Sequence, residues 1–455
     1  MKINKTVSFK ESVGILLVIL VTIGTSIIGF KLPAHVGILF SIILMVGFMK
    51  YKHASWDDLH EGIVEGVKPG IIPIILFILI GSLIGLWIAV GTIPTIMVYG
   101  FSFLTPKFFL SAVFLICALI GASVGSSFTT ISTVGIAFVG MGKIMGFELS
   151  QIAGAIVSGA FLGNVVSPLS DTANLAAATA DVDLFDHLKN VFKTAIPTMI
   201  ISFVFYLLIG HQSLKSHNTK DIQILIGTLR SHFTISFIVL IPVIILLLCA
   251  WRKIPAIPSL LLNIFLSIIL IKIYQPSIPL LKIGNWIQDG YIANTHNEIV
   301  DALLSRGGIQ SMMWSVSLII LALSLGGLLL KMSIIDIILE NIGGGLNSTW
   351  KVILVTALTC LGVNLLIGEQ YLSIILPGEA YKKTFNKLRI PSVYLSRTLC
   401  DAGSTINPLI PWGVSAVFIT STLGVPTMSY LPYAIFCYVL PLVTILFGFF
   451  IKVEN

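Results

Sequence analysis

Two proline-centred polar segments interrupt otherwise hydrophobic sequence. The first, Asn164–Asn174, follows Gly163 and holds Ser167, Pro168, Ser170, Asp171 and Thr172. The second, Asp401–Trp412, holds Ser404, Thr405, Asn407, Pro408 and Pro411. Each sets one carboxylate among neutral oxygens, and each proline removes a backbone donor and frees an upstream carbonyl. A hard cation such as Na+ is bound by oxygens of this kind, and a carboxylate can take up a proton instead. Placed at membrane depth, such groups are costly unless they meet each other, water or a ligand. For Asp171 the plainer alternative is a cap on the following helix, and the two roles are compatible.

A second pair of segments carries related chemistry. Between Gly125 and Gly135 lie Ser126, Ser127, Thr129, Thr130, Ser132 and Thr133. These hydroxyls suit a hairpin or unwound helix around a small cation, or an ordinary helix in which they bond back to the preceding turn. The matching segment Gly368–Gly378 contains Glu369, Gln370 and Ser373, which favours a pair of re-entrant or broken elements. Arg397 stands one helical turn before Asp401, so it pairs with that carboxylate or receives a substrate carboxylate. Glu369 is either a proton carrier or a group facing water at the cytoplasmic mouth.

The expected ion- or substrate-binding set is Ser126, Thr129, Asn164, Ser167, Ser170, Asp171, Thr172, Asn174, Glu369, Arg397, Asp401, Ser404, Thr405 and Asn407. Na+ itself is expected on Ser167, Asp171, Thr172, Asp401 and Asn407.

The elements that carry these residues belong to a membrane. Of 455 residues, 56% are hydrophobic and 10% charged, against about 25% charged in soluble domains. Apolar runs such as Gly70–Val90, Phe233–Ala250 and Ser311–Leu330 approach or meet the length of a spanning helix. About a dozen membrane elements are expected, giving an all-α polytopic protein. The first run lacks a small-x-small cleavage site and is followed at once by another, which argues against a cleaved signal peptide. Lys2, Lys5 and Lys10 precede the first run, and Lys50 and Lys52 follow the second. Both clusters fall on one side of a two-helix hairpin, which places the N-terminus in the cytoplasm. The net charge of +7 thus reports topology rather than a nucleic-acid partner.

Five scattered cysteines without a C-x-x-C spacing read as small apolar residues. The chain has no Walker A segment, Ser/His dyad, metal cluster or soluble domain of useful size. An ATP-driven pump and an intramembrane enzyme are therefore disfavoured, and no cofactor is expected.

Landmarks recur in order at nearly constant offset, pairing Gly85 with Gly327, Gly125 with Gly368, Gly135 with Gly378, and Pro168 with Pro408. This implies a duplication, with the site at the interface of the repeats. The expected division is an N-terminal hairpin and loop at 1–60, a first transport repeat at 61–210, a linker with two transmembrane helices at 211–307, and a second repeat at 308–455.

Gly91–Thr95, Gly163–Thr172, Gly368–Gly378, Ser396–Gly403 and Asn407–Trp412 together resemble the NhaC family of sodium/proton antiporters. The resemblance runs from about residue 60 to the end. It implies two inverted repeats, each with a re-entrant hairpin and a broken helix, a scaffold domain and an elevator-type transport domain, and a homodimer. It further implies a transporter of the inner or plasma membrane that exchanges Na+ and H+. Asn164 and Cys400 depart from the family pattern, in which acids are frequent at those places. Loss of two acids keeps open an alternative, Na+- or H+-coupled exchange of a small organic acid of the malate/lactate type, or of an amino acid.

Overall fold

The computed structural model describes residues 7–103, 105–212, 219–252, 254–342 and 348–451. The described residues are helical throughout and contain no β-strand, the one isolated bridge joining Tyr291 and Arg306. Ten helices among them are long and apolar enough to cross a membrane, or twelve if each of two bent pairs is one span. The chain is a multi-pass membrane protein.

The N-terminal hairpin is α1 (Phe9–Gly24) and α2 (Ala34–Tyr51). Next come α3 (Trp56–Val67), α4 (Ile71–Val90), α5 (Thr92–Phe103), α6 (Phe109–Val124), α7 (Ser127–Thr130), α8 (Ile136–Ile144), α9 (Leu149–Val166), α10 (Asp171–Thr179) and α11 (Leu184–Gln212). The middle of the chain forms α12 (Thr219–His232), α13 (Ile241–Trp251), α14 (Ala256–Tyr274), α15 (Leu280–Gln288) and α16 (Glu298–Leu304). The remainder is α17 (Ile309–Lys331), α18 (Ile334–Ile342), α19 (Thr349–Ile367), α20 (Gln370–Lys387), α21 (Ser392–Thr398), α22 (Val414–Leu423), α23 (Thr427–Tyr430) and α24 (Ile435–Phe447).

Packing sorts these helices into two groups. In one, α17 lies against α2, α3 and α4, and α4 lies against α14 and α15. In the other, α6 and α9 form the most extensive helix pair, joined by α11, α24, α19, α20 and α21. Between lipid-covered helices there is no water to expel, so close approach of backbones supplies much of the attraction. Gly163 of α9 shows how close: a β-carbon there would stand 2.4 Å from the Ala118 carbonyl oxygen and 2.5 Å from the Ala122 nitrogen of α6.

The helices that hold the two polar segments are interrupted. After α9 the chain breaks at Ser167–Ser170 and resumes as α10. After α21 it passes through a π-helical turn, Leu399–Ser404, and a short 3-10 turn, Asn407–Leu409, before α22 begins. The two parts of this second element are bent by 45°. A hairpin tip seats against each break. α6 ends at Gly125 (φ 72°) and α19 at Gly368 (φ 74°), left-handed conformations that glycine adopts without steric cost. Each tip then starts a capped helix, with the Ser126 hydroxyl accepting from the Thr129 N–H and the Glu369 carboxylate from the Leu372 N–H.

An enclosed polar cluster braces α11 against the second broken element. Arg397 donates to Asn190 Oδ1 at 2.9 Å, and His187 Nδ1 meets Ser396 Oγ at 3.0 Å. Asp401 Oδ2 accepts from Thr194 of α11 at 2.8 Å and from Thr444 of α24 at 2.5 Å. Arg397 and Asp401 are buried. The second Asp401 oxygen and the Arg397 Nε and Nη2 atoms have no hydrogen-bond partner in the protein. The two charges lie one helical turn apart and compensate each other through space.

Two measurements check this packing. Gly163→Val should force α6 from α9 and lower the thermal stability of the detergent-solubilised protein by about 2 kcal/mol; an unchanged melting temperature would show that the pair can open freely. Asp401→Asn leaves a buried guanidinium uncompensated and should destabilise by about 3 kcal/mol, while adding Arg397→Met should recover most of the loss. Losses that simply add in the double variant would show that the two charges do not compensate.

Candidate functional site

A cavity of about 480 Å³ opens where the first hairpin tip, the first break and the second hairpin tip converge. Its polar wall consists of Ser126 and Thr129 from the first tip, Asp171 and Asn174 from α10, Tyr371 from α20, and Ser259 from α14. Apolar residues of α4, α13 and α14 complete it, including Ile72, Leu76, Leu246 and Leu260. No Lys, Arg or His lies among the described residues that line it.

Asp171 occupies the first turn of α10, where the positive end of the helix favours a carboxylate. One of its oxygens accepts the Thr172 N–H at 2.8 Å, and the other accepts the hydroxyl of Tyr371. The helix cap itself is Ser170, whose hydroxyl receives the Ala173 N–H at 3.2 Å. Asp171 is exposed to the cavity, whereas Ser170 and Thr172 on either side are buried. Glu369 is buried at the base of the second tip, two residues before Tyr371. It lies within electrostatic reach of Asp171.

Most of the neutral oxygens in the first polar segment close the break. Asn164 donates to Thr172 Oγ1 at 2.9 Å and accepts from the Ser170 hydroxyl at 3.1 Å, tying the last turn of α9 to the first turn of α10. Ser167 donates to the Ala122 carbonyl at 2.7 Å and accepts the Leu169 N–H. Asn174 donates to the Pro168 carbonyl, which the interruption leaves without a backbone donor, and to the carbonyl of the cap residue Ser170. An amide at position 164 meets a donor and an acceptor at once, which an ionised carboxylate cannot do.

The second polar segment closes its break in a similar manner. Asn407 donates to Asn364 Oδ1 at 2.8 Å and to the Gly368 carbonyl at 3.0 Å, and accepts the Ser415 N–H at 2.8 Å. Tyr430 donates to the Pro408 carbonyl at 2.5 Å, and Trp412 to the Leu365 carbonyl at 2.8 Å. Ser404 and Thr405 bond back to the carbonyls of Cys400 and Asp401 within the π-helical turn.

The structure therefore brings together part of the expected set. Ser126, Thr129, Asp171 and Asn174 line the cavity, and Glu369 lies behind its second tip. Asn164, Ser167, Ser170 and Thr172 sit directly beneath as the break's internal bonds. Arg397, Asp401, Ser404, Thr405 and Asn407 do not line the cavity in this conformation. Thr130, Ser132 and Thr133 bond to carbonyls three or four residues back, so the segment after Gly125 is a helix with a π-helical turn rather than an unwound strand of ligands. Tyr371 was not among the residues expected from sequence, because a tyrosine in an apolar run reads as packing. The signal that could have found it is its place two residues after Glu369, on the segment that matches the hydroxyl-rich first tip.

Comparison with known proteins identifies the family of the chain. A family profile described as the Na+/H+ antiporter family matches residues 3–173 and 159–451. The chain is 40% identical to the Na+/H+ antiporter NhaC of Alkalihalophilus pseudofirmus over 96% of its own length and 94% of that protein. It is 37% identical to the Na+/H+ antiporter NhaC of Bacillus subtilis over 98% and 99% of the two chains. It is 33% identical to the arginine/ornithine antiporter ArcD of Halobacterium salinarum over 87% and 82%. The chain belongs to the Na+/H+ antiporter family.

Proposed function

We propose that this protein is a secondary transporter that exchanges Na+ for H+ across the membrane, and that Asp171 is the carboxylate on which the two ions compete. The observation that carries the reading is a single exposed carboxylate in a cavity between two hairpin tips, with Glu369 close behind it. Two carboxylates at such range repel each other, so the pair favours one positive charge in its neighbourhood. Either a cation or a proton supplies that charge, and mutual exclusion of the two is the chemical basis of exchange. Ser126 and Thr129 hydroxyls and the Asn174 side chain are the neutral oxygens placed to share a small hard cation with Asp171.

The Arg397–Asp401 cluster is read as structural. A guanidinium about one turn from Asp401 opposes a cation there by about 3 kcal/mol at an effective dielectric near 20. This moves the sodium site away from Asp401 and Asn407 and onto the cavity.

The same reading takes residues 61–210 and 308–455 as inverted repeats joined by 211–307. Its support is the paired left-handed glycines, the capped hairpin tips and the interrupted helices that follow them. The group built on α4, α14 and α17 serves as scaffold, and the group built on α6, α9, α19 and α20 as the moving body. The N-terminus is assigned to the cytoplasm on its lysines, and a homodimer is assigned by family likeness. An organic anion as cargo is less well supported, since the cavity's described lining offers no cationic side chain and Arg397 is enclosed.

Asp171→Asn should bring Na+-driven proton movement to background in proteoliposomes loaded with a pH-sensitive dye, with the protein still inserted and folded. Full activity in that variant would remove Asp171 from the mechanism. Saturable uptake of a labelled organic acid or amino acid, with no response to Na+ alone, would favour the solute-exchange alternative.

A further inference from the structure

We propose that Tyr371 is an internal stand-in for the transported cation, a gating residue whose hydroxyl holds the oxygen of Asp171 that Na+ must take. The proposal rests on the assignment of Asp171 as the ion's carboxylate.

One Asp171 oxygen is bound to the backbone of its own helix through Thr172. The other receives the Tyr371 hydroxyl. With no Lys, Arg or His among the described residues lining the cavity, the phenolic O–H is the charge-complementary group directed at that second oxygen. A proton donor and a cation approach a carboxylate oxygen along the same lone-pair directions, so one excludes the other. Tyr371 can itself become a ligand only after its O–H turns to another acceptor, which breaks the bond to Asp171.

The two partners belong to different halves of the chain. Asp171 begins α10 behind the first break, and Tyr371 stands in the first turn of α20 behind the second tip. The bond therefore ties one tip to the opposite broken helix when no ion is held. Arrival of Na+ releases the phenol and loosens that tie. Two effects follow from one hydroxyl: a lower apparent affinity for Na+, because the ion must displace a charge-assisted bond, and a closed arrangement of the empty site.

The experiment is a Na+ titration of proton movement in proteoliposomes, comparing the natural protein with Tyr371→Phe, which keeps the ring and removes only the hydroxyl. The half-saturating Na+ concentration should fall about tenfold, the loss expected from deleting a competitor of modest strength. An unchanged or higher half-saturating concentration overturns the proposal. Asp171→Asn is measured beside it. If that variant still moves protons in response to Na+, the underlying assignment fails; if it is silent while Tyr371→Phe is normal, the gating role alone fails. Where Tyr371→Phe turns over too slowly, a Na+ titration of its melting temperature reads the same affinity. Tyr371→Met serves as the second variant if phenylalanine does not assemble, with the same fall expected and the same overturning result.

Discussion

Inside a bilayer no solvent waits to satisfy a loose peptide group, and this constraint governs the architecture. A continuous helix meets it automatically; a broken one leaves donors and acceptors that cost several kcal/mol apiece unless the protein supplies partners. This chain breaks two helices and answers each break with local side chains. Asn164, Ser167, Ser170 and Asn174 serve the first, and Asn407, Trp412 and Tyr430 serve the second. Once those bonds are made, few oxygens remain uncommitted. The carboxylate of Asp171 is exposed to the cavity because its neighbours have absorbed the cost of the interruption.

The polar composition of the broken segments thus has two origins, which a sequence cannot separate. Helical spans, the prolines at the breaks and the glycine-bounded tips were legible because hydropathy and backbone restriction act locally. Asp171 was legible as a charge in an apolar setting. The division of labour among Ser167, Thr172, Asp401 and Asn407 was not, since a hydroxyl that ligates an ion and one that mends a backbone look alike in one dimension. Pro168 lies within the first interruption, and Pro408 (in the short 3-10 turn) and Pro411 lie within the second. The spacing of Arg397 left open whether it faces Asp401 or a substrate, and its enclosure by α11 depends on contacts more than 200 residues apart.

The charged side chains fall into two separate groups. Arg397 and Asp401 sit together in an enclosed pocket where each offsets the other. Asp171 follows the first break and Glu369 caps the second tip, with no cationic side chain among the described residues of the cavity wall. The first arrangement is self-contained and suits a brace. The second leaves two acidic groups near a cavity whose described lining has no cationic side chain.

The rod formed by α3 and α4 has a further consequence. From Trp56 to Val90 it runs for 35 residues, about 50 Å of helix against about 30 Å of hydrocarbon. Its first turns carry Asp57, Asp58 and Glu61, and Lys331 at the end of α17 binds Glu61 at 2.6 Å. Sinking this rod by one turn would drag carboxylates into the acyl layer at about 3 kcal/mol for each. The membrane itself therefore acts as a draught line for this half of the molecule, fixing its height like the waterline of a moored hull.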